Sequence, residues 1–371
     1  MPRPSLTPIA SQLPDTVPFV GPEAIERLTG IPTRARVGAN ESAFGPSPGV
    51  IAALRAAAPE AWKYGDPETF ELKAALARHL GVPAGNIAVG EGIDGLMNLI
   101  VRLYVGPGDT VVTSLGAYPT LNYHVAGFGG RLVTVPYRAD RESLADLLAA
   151  VQREAPKLVY LCNPDNPMGT WWDADEVERF IAALPETTML LLDEAYGETT
   201  PPGTLPAIDV SRPNLLRTRT FSKAYGLAGM RCGYAIGEAE NIRAFDRVRN
   251  HFGVTRLSQA AATAALADQD WLRSVVEQVA AGRERIATIA ADNGLEALPS
   301  ATHFVAVDCG RDGAFALAVL QALGRRGVFV RKPMAPGLDR CIRISVGRPE
   351  DLDIVAAELP AALRDAAATL P

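Results

Sequence analysis

The chain has 371 residues, 48% of them hydrophobic and 21% charged, the balance of a soluble globular protein and, at this length, of two domains. A net charge of −6 with scattered basic residues argues against a nucleic-acid partner, and no run approaches the ~20 apolar residues of a membrane span. Prolines interrupt "MPRPSLTPIASQLPDTVPF", where a signal peptide needs an apolar core. Cys162, Cys232, Cys309 and Cys341 form no CxxC pair, and His79, His124, His251 and His303 are equally dispersed. That pattern reads as buried thiols in a reducing compartment, without a metal site, so the expected location is the cytoplasm.

In chain order, residues 1–35 are proline-rich and form an arm with one helical piece, "GPEAIERLTG", expected to pack with the small domain. The large domain is expected over 36–250. Within it "PETFELKAALARHLG" and "DGLMNLIVRLYVG" read as amphipathic helices ended by Gly81 and Gly106. The apolar runs "DTVVTS", "RLVTVPY", "KLVYLCN", "TMLLLDEAY" and "NLLRTRTF" follow, most of them separated by helical stretches such as "DADEVERFIAAL". Short buried strands alternating with helices predict an α/β fold with a mostly parallel sheet flanked by helices. Residues from about 238 to 290 carry a nearly continuous helical pattern, expected as a long connector. The remainder, "HFVAVDC", "AFALAVLQALGRRG", "VFVR", "CIRISVG" and an alanine-rich C-terminal helix, reads as a smaller α+β domain over 251–371.

Five stretches of the large domain put polar groups at strand exits, where α/β proteins place their chemistry. In "VGEGIDGLMNLI" a loop enters a helix at Gly92, Ile93 and Asp94. Free N–H groups at a helix start bind phosphate, although an Asp-capped helix explains the same residues. Tyr118 of "LGAYPTLNYH" can stack on a flat ring or be a buried aromatic. In "LCNPDNPMGT" two Asn-Pro steps turn the chain and hold Asn166 at the end of a strand, which turn chemistry alone also accounts for. Asp193 ends the apolar strand of "MLLLDEAYGE", where a carboxylate is costly without a cation or donor, and Tyr196 lies three residues on. Last, "RTFSKAYGLAGMRCG" places Lys223 beside Ser222 with Arg231 eight positions later. A planar pyridine phosphate bearing an aldehyde needs a phosphate cradle, a stacking surface, a phenol, an amide, a carboxylate and a lysine together.

From about residue 38 to residue 350 the chain resembles the class I/II aminotransferases of fold type I, which use pyridoxal 5′-phosphate. "SKAYGLAGMR" is similar to S-K-x-x-x-L-x-G-x-R, "NPDNPMG" to N-P-x-N-P-T-G with Met168 in place of Thr, and "DEAY" to D-x-A-Y. The resemblance implies that Lys223 forms the Schiff base and that Ser222, Arg231, Gly92, Ile93 and Asp94 hold the phosphate. It implies that Asp193 pairs with the pyridine nitrogen, that Tyr196 and Asn166 meet the ring hydroxyl, and that Tyr118 stacks on the ring. Arg343 of "IRISVG" matches the arginine that binds the substrate's anionic group.

"VGANESAFGPSP", with Asn40, and "WKYGDPETFELKAALA" resemble segments of histidinol-phosphate aminotransferases. That implies a homodimer with shared sites, in which Tyr64 reaches the partner's cofactor phosphate. It also implies amino transfer from histidinol phosphate to 2-oxoglutarate, a step of histidine biosynthesis. Arg331 and Arg343, twelve positions apart, suit a phosphate or carboxylate held by charged hydrogen bonds. The chain departs from that pattern at Thr16, where Tyr is usual, at Ser42-Ala43-Phe44, and at Ile93 and Gly95. An aromatic or other amino-acid aminotransferase and a threonine-phosphate-type decarboxylase therefore stay open. A cofactor-binding regulator is disfavoured because only ~35 residues precede the fold.

Overall fold

The computed structural model describes residues 3–15 and 19–369; Thr16 lies outside them. The chain begins with α1 (Pro22–Thr29), β1 (Ala35–Arg36), α2 (Pro48–Ala57) and α3 (Phe70–Leu80). The large domain continues through β2 (Ile87–Gly90), α4 (Gly92–Tyr104), β3 (Thr110–Ser114), α5 (Thr120–Gly127), β4 (Arg131–Val135) and α6 (Leu144–Glu154). It then runs through β5 (Leu158–Cys162), α7 (Ala174–Ala183), β6 (Met189–Asp193), β7 (Leu215–Thr220) and β8 (Gly233–Gly237). After α8 (Ala239–Ala244), α9 (Arg256–Ala267) and α10 (Gln269–Asp292) come β9 (Glu296–Ala297), β10 (Phe304–Asp308), α11 (Gly313–Gly324), β11 (Val328–Phe329), β12 (Cys341–Ser345) and α12 (Pro349–Thr369).

Seven strands form the central sheet in the order β2-β8-β7-β6-β5-β3-β4. The five strands from β4 to β7 are parallel, while β8 runs antiparallel to both β7 and β2. The central strands β5 (LVYLC) and β6 (MLLLD) are buried at every position, as continuous apolar runs covered on both faces must be. The chain leaves β3 for its outer neighbour β4, then returns to β5 on the other side of β3. This reversal opens a crevice beyond the carboxyl ends of β3 and β5, the usual ligand position of a doubly wound sheet. β2 and β8 are additions to the expected strands; both are short and end in glycine, which weakens their sequence signal.

The expected 238–290 connector is three helices rather than one. Thr255 caps α9 by accepting from Ser258 N (3.1 Å), and Asp268 caps α10 by accepting from Trp271 N (3.1 Å). Each cap satisfies an N–H group that a continuous helix would pair internally. Residues 251–267, grouped in the sequence with the small domain, pack elsewhere. Val254, Ala261, Ala262 and Ala265 join Val50 of α2 and Leu72 and Leu76 of α3 in one large-domain core. The small-domain core starts with α10, where Val275, Val279 and Ile286 meet β10, β12, α11 and α12. Ala35 and Val37 also belong to that core, because β1 pairs in parallel with β11.

Candidate active site

The crevice holds a cavity of about 280 Å³ lined by residues from six of the stretches singled out above, including Asn40, Asp94, Tyr118, Asn166, Asp193 and Lys223. Lys223 follows β7, and its Nζ donates to Asn40 O at 3.0 Å and lies 5.5 Å from the centre of the Tyr196 ring. Burial lowers its pKa to about 8, helped by the positive charge of Arg343 and Arg231 and opposed by Asp94 and Asp193. At that value a sizeable fraction of the amine is neutral, as a nucleophilic lysine requires.

Asp193 is the last residue of β6, in register with Cys162 on one neighbour and Thr218 on the other. It is 2% exposed. Oδ2 accepts from Tyr160 OH at 2.9 Å, and Oδ1 from Ala195 N at 3.0 Å. Burial still raises its pKa to about 6, because these two bonds offset only part of the desolvation. A buried carboxylate in this state has an unmet demand for a cation. Its sequence neighbour Glu194 points to the opposite face of the sheet, where Arg217 (2.5 Å) and Arg219 (2.9 Å) neutralise it.

Tyr196 OH accepts from Asn40 Nδ2 (3.0 Å) and Asn166 Nδ2 (3.4 Å). Burial holds the phenol well above its ordinary pKa. Asn166 Oδ1 in turn accepts from an Arg343 terminal nitrogen at 2.7 Å. Ser345 closes the network by donating to Asn40 Oδ1 at 3.1 Å. One residue of the N-terminal segment, one turn after β5 and one strand of the small domain are thus tied to a single phenol. The Nε of Arg343 is buried with no partner among the described residues.

At the other end of the cavity α4 begins at Gly92, whose φ of +73° favours glycine. A Cβ at Gly92 would sit 2.5 Å from an Arg231 terminal nitrogen. The guanidinium therefore lies directly over the helix start, where it also donates to Ser222 Oγ at 3.3 Å. A basic fork, a hydroxyl and the unpaired N–H groups of a helix start suit a phosphate.

Tyr118 donates to Asp94 Oδ1 at 3.0 Å and stacks on Phe19 of the arm at 6.3 Å. A wider cavity of about 520 Å³ adjoins the first and shares Asn40, Tyr118, Asn166 and Lys223 with it. Arg331, Lys332 and Arg343 also line it, together with Phe19, Asn122 and Tyr123. Arg331 donates from its side chain to Val20 O at 2.7 Å. Tyr64 lines neither cavity. It is 76% exposed and packs on Phe252 at 4.6 Å. Sequence reasoning missed Tyr160, His303 and Asn122. For Tyr160 a signal existed: a phenol inside a fully buried strand needs a hydrogen-bond partner. His303 is buried with both ring nitrogens unpartnered among the described residues and meets the Tyr196 ring edge-on at 5.3 Å.

A two-domain molecule of this topology, with a lysine and a buried aspartate facing one crevice, has the fold of the fold type I, lysine-anchored aminotransferases. The chain belongs to the aminotransferase class I and II family, whose model matches residues 35–359. It is similar to the crystal structure of histidinol-phosphate aminotransferase from Sinorhizobium meliloti in complex with pyridoxal-5′-phosphate, with a TM-score of 0.94 and 58% identity over 97% of both chains. It is 39% identical over 336 residues to histidinol-phosphate aminotransferase 2 of Ralstonia nicotianae, covering 90% of each chain. With histidinol-phosphate aminotransferase 1 of Nitrosococcus oceani it shares 38% identity over 332 residues, 89% of each chain.

Proposed function

We propose that this chain is a pyridoxal 5′-phosphate-dependent histidinol-phosphate aminotransferase that passes the amino group to 2-oxoglutarate. The observation that carries the reading is the full-length likeness to the Sinorhizobium meliloti enzyme, joined to a cavity whose groups fit the cofactor. Asp193, buried and short of a cation, suits the pyridine nitrogen. Tyr196 and Asn166 suit the ring hydroxyl, and Tyr118 the ring face. Ser222, Arg231 and the N–H groups of Ile93 and Asp94 suit the phosphate, with Gly92 keeping the cradle open.

Bound there, the cofactor supplies an electron sink for charge developing at the substrate's α-carbon. The chain's own residues do the rest. Asp193 keeps a proton on the ring nitrogen by opposite charge. Lys223 Nζ, once freed by the incoming amine, would act as general base toward the substrate's α-carbon and then as general acid two atoms away, across the nitrogen, in a 1,3-proton shift. Asn40 and Asn166 orient the Tyr196 hydroxyl, and Arg343 holds the substrate's anionic group. Arg331 and Lys332 add positive charge at the wider end of the cavity, where a phosphate-bearing substrate extends.

The reading includes a homodimer with shared sites. Trp62, Tyr64 and Phe70 are 79%, 76% and 64% exposed on one segment, an aromatic patch that suits burial against a second copy. A cytoplasmic setting is in keeping with the four buried free cysteines. A second reading, an aromatic amino-acid aminotransferase, is favoured by one feature: Phe19, Tyr118 and Tyr123 all line the wider cavity. The test is a spectral half-reaction screen of the holoenzyme with histidinol phosphate, glutamate, phenylalanine and threonine phosphate added separately. Bleaching of the visible band by histidinol phosphate and glutamate is expected. Bleaching by phenylalanine with no response to histidinol phosphate selects the second reading.

A further inference from the structure

A separate cavity of about 330 Å³ lies between the 197–199 turn, the end of α3 and the first turns of α10. It is lined by Glu198 and Arg219 together with the apolar surfaces of Leu272, Val276 and Tyr225. The roles proposed above use none of these residues. The Nε of Arg219 donates to Glu194 Oε2 at 2.9 Å, which fixes a guanidinium that is 14% exposed. Its two terminal nitrogens make no hydrogen bond among the described residues, although the charge of Glu198 acts on the guanidinium, so a rigid pair of charged donors is left over. Glu198 has the converse deficit: its Oε2 is buried without a hydrogen-bond partner among the described residues. Gly197 keeps the turn low, since a Cβ there would meet Leu205 at 3.0 Å and lie 4.0 Å from Arg219 Nε.

The charges select the ligand. Arg219 and Arg273 face Glu198 and Glu277 across the cavity, beside a His79 whose pKa burial lowers, and Arg217 offsets Glu194 behind it. The lining is therefore balanced when Glu198 is ionised, and a ligand with a net charge would upset that balance. A lone carboxylate would leave the buried Glu198 Oε2 without a partner, and a lone amine would leave the Arg219 terminal nitrogens without a bidentate acceptor, Nε alone being held by Glu194. We propose that this cavity binds a small α-amino acid as its zwitterion, with the carboxylate on the Arg219 terminal nitrogens, the ammonium on Glu198, and an apolar side chain along Leu272, Val276 and Tyr225.

The site adjoins the catalytic one through a single turn. Thr199 N donates to Tyr196 O at 3.0 Å, its hydroxyl lies between Ala301 O (2.8 Å) and Tyr196 O (3.0 Å), and Arg283 of α10 donates to Thr199 O at 3.2 Å. Binding also carries a proton signature. Burial holds the Glu198 carboxyl up at about 7; an ammonium beside it favours the ionised form, so binding near pH 7 releases protons.

The experiment is isothermal titration of L-leucine into the holoenzyme at pH 7, in two buffers of different ionisation enthalpy, with the visible spectrum followed in parallel. An amine at the catalytic lysine changes the cofactor band, whereas an occupant of this cavity does not. The expected result is a saturable heat of one site per chain without a band change, with proton release. Glu198→Gln should weaken it roughly tenfold or more, and Leu272→Trp, which fills the cavity from its wall, should abolish it. The single-ended analogues 4-methylpentanoate and isoamylamine should also bind roughly tenfold more weakly or worse. The proposal is overturned if all heat tracks the cofactor band. It is equally overturned if both variants bind like wild type, or if either analogue matches L-leucine.

Discussion

Tyr160 and Asp193 are joined across two neighbouring strands: the phenol at the centre of β5 donates to the carboxylate that ends β6, at 2.9 Å. Both are buried, and the bond supports the charged form of a group that desolvation pushes the other way. Tyr160→Phe keeps the ring and removes the donor. Asp193 then becomes harder to ionise and holds the ring nitrogen's proton less well. A fall of roughly tenfold in kcat is expected, with KM for glutamate little changed. An unchanged kcat in steady-state assays would show that the Ala195 N–H bond is sufficient by itself.

Asp193 also makes a statement about stability. Its carboxyl titrates at about 6 in the folded chain against 3.8 ordinarily. The folded state thus binds the proton more tightly, so the group's favourable contribution is complete below the ordinary value and is lost as pH rises through about 6. Ionised Asp193 therefore burdens the cofactor-free protein at pH 8 by about 2–3 kcal/mol. Asp193→Asn should make the apoprotein more stable to urea at pH 8 and show little gain at pH 4, while single-turnover proton transfer in the loaded enzyme collapses. A destabilised apoprotein at pH 8 would show that the carboxylate is needed structurally.

The lowered Lys223 pKa predicts how the apoenzyme takes up its cofactor. Below about 8 the neutral amine, and with it the rate at which the visible band appears on adding pyridoxal 5′-phosphate, should fall roughly tenfold per pH unit. Above that value the rate should level off. A profile still rising steeply at pH 10 would mean that the lysine is not desolvated as the structure implies. Lys223→Ala should fold and give no such band; normal turnover by that variant would remove it from the catalytic role.

Much of this was legible in the sequence, because the groups at the heart of the site sit at chain punctuation. Asp193 ends an apolar strand, Asn166 follows Asn-Pro turns, and Gly92 opens a helix. What escaped depends on contacts distant in sequence. Tyr160 looks like one more apolar strand residue until β6 brings Asp193 beside it. α9 carries a helical pattern indistinguishable from that of α10, and only the facing surfaces of α2 and α3 decide which core it joins. Within one chain Tyr64 lies outside both cavities, and a contribution across a subunit boundary, as proposed for it, would leave no mark in one chain's own geometry.

That exposed tyrosine gives a direct test of assembly. If Tyr64 serves a neighbouring site, the holoenzyme sediments as a dimer at assay concentration, and Tyr64→Phe retains the dimer while losing cofactor roughly tenfold faster on dilution. An active monomer by sedimentation velocity contradicts the shared-site proposal.

The proposed substrate choice turns on Arg331 and Arg343. Their backbones form an antiparallel bridge, with Arg343 N donating to Arg331 O at 2.6 Å and Arg331 N to Arg343 O at 3.2 Å. Both side chains line the wider cavity, and a strand fixes such groups more firmly than a loop. They are not equivalent. Arg343 is anchored to Asn166 with its Nε still free, close to the reacting centre, whereas Arg331 reaches back to Val20 O of the arm. Removing one partner of a buried charged hydrogen bond costs on the order of 2–5 kcal/mol. Arg343→Ala should therefore lower kcat/KM by roughly 30-fold or more for both histidinol phosphate and glutamate. Arg331→Ala should penalise the phosphorylated substrate more, because a phosphate has more oxygens to satisfy and extends toward the arm. Measuring kcat/KM for the two substrates in the two variants separates these roles. Equal losses for both substrates in Arg331→Ala would eliminate the phosphate assignment, and a larger loss for glutamate would invert it.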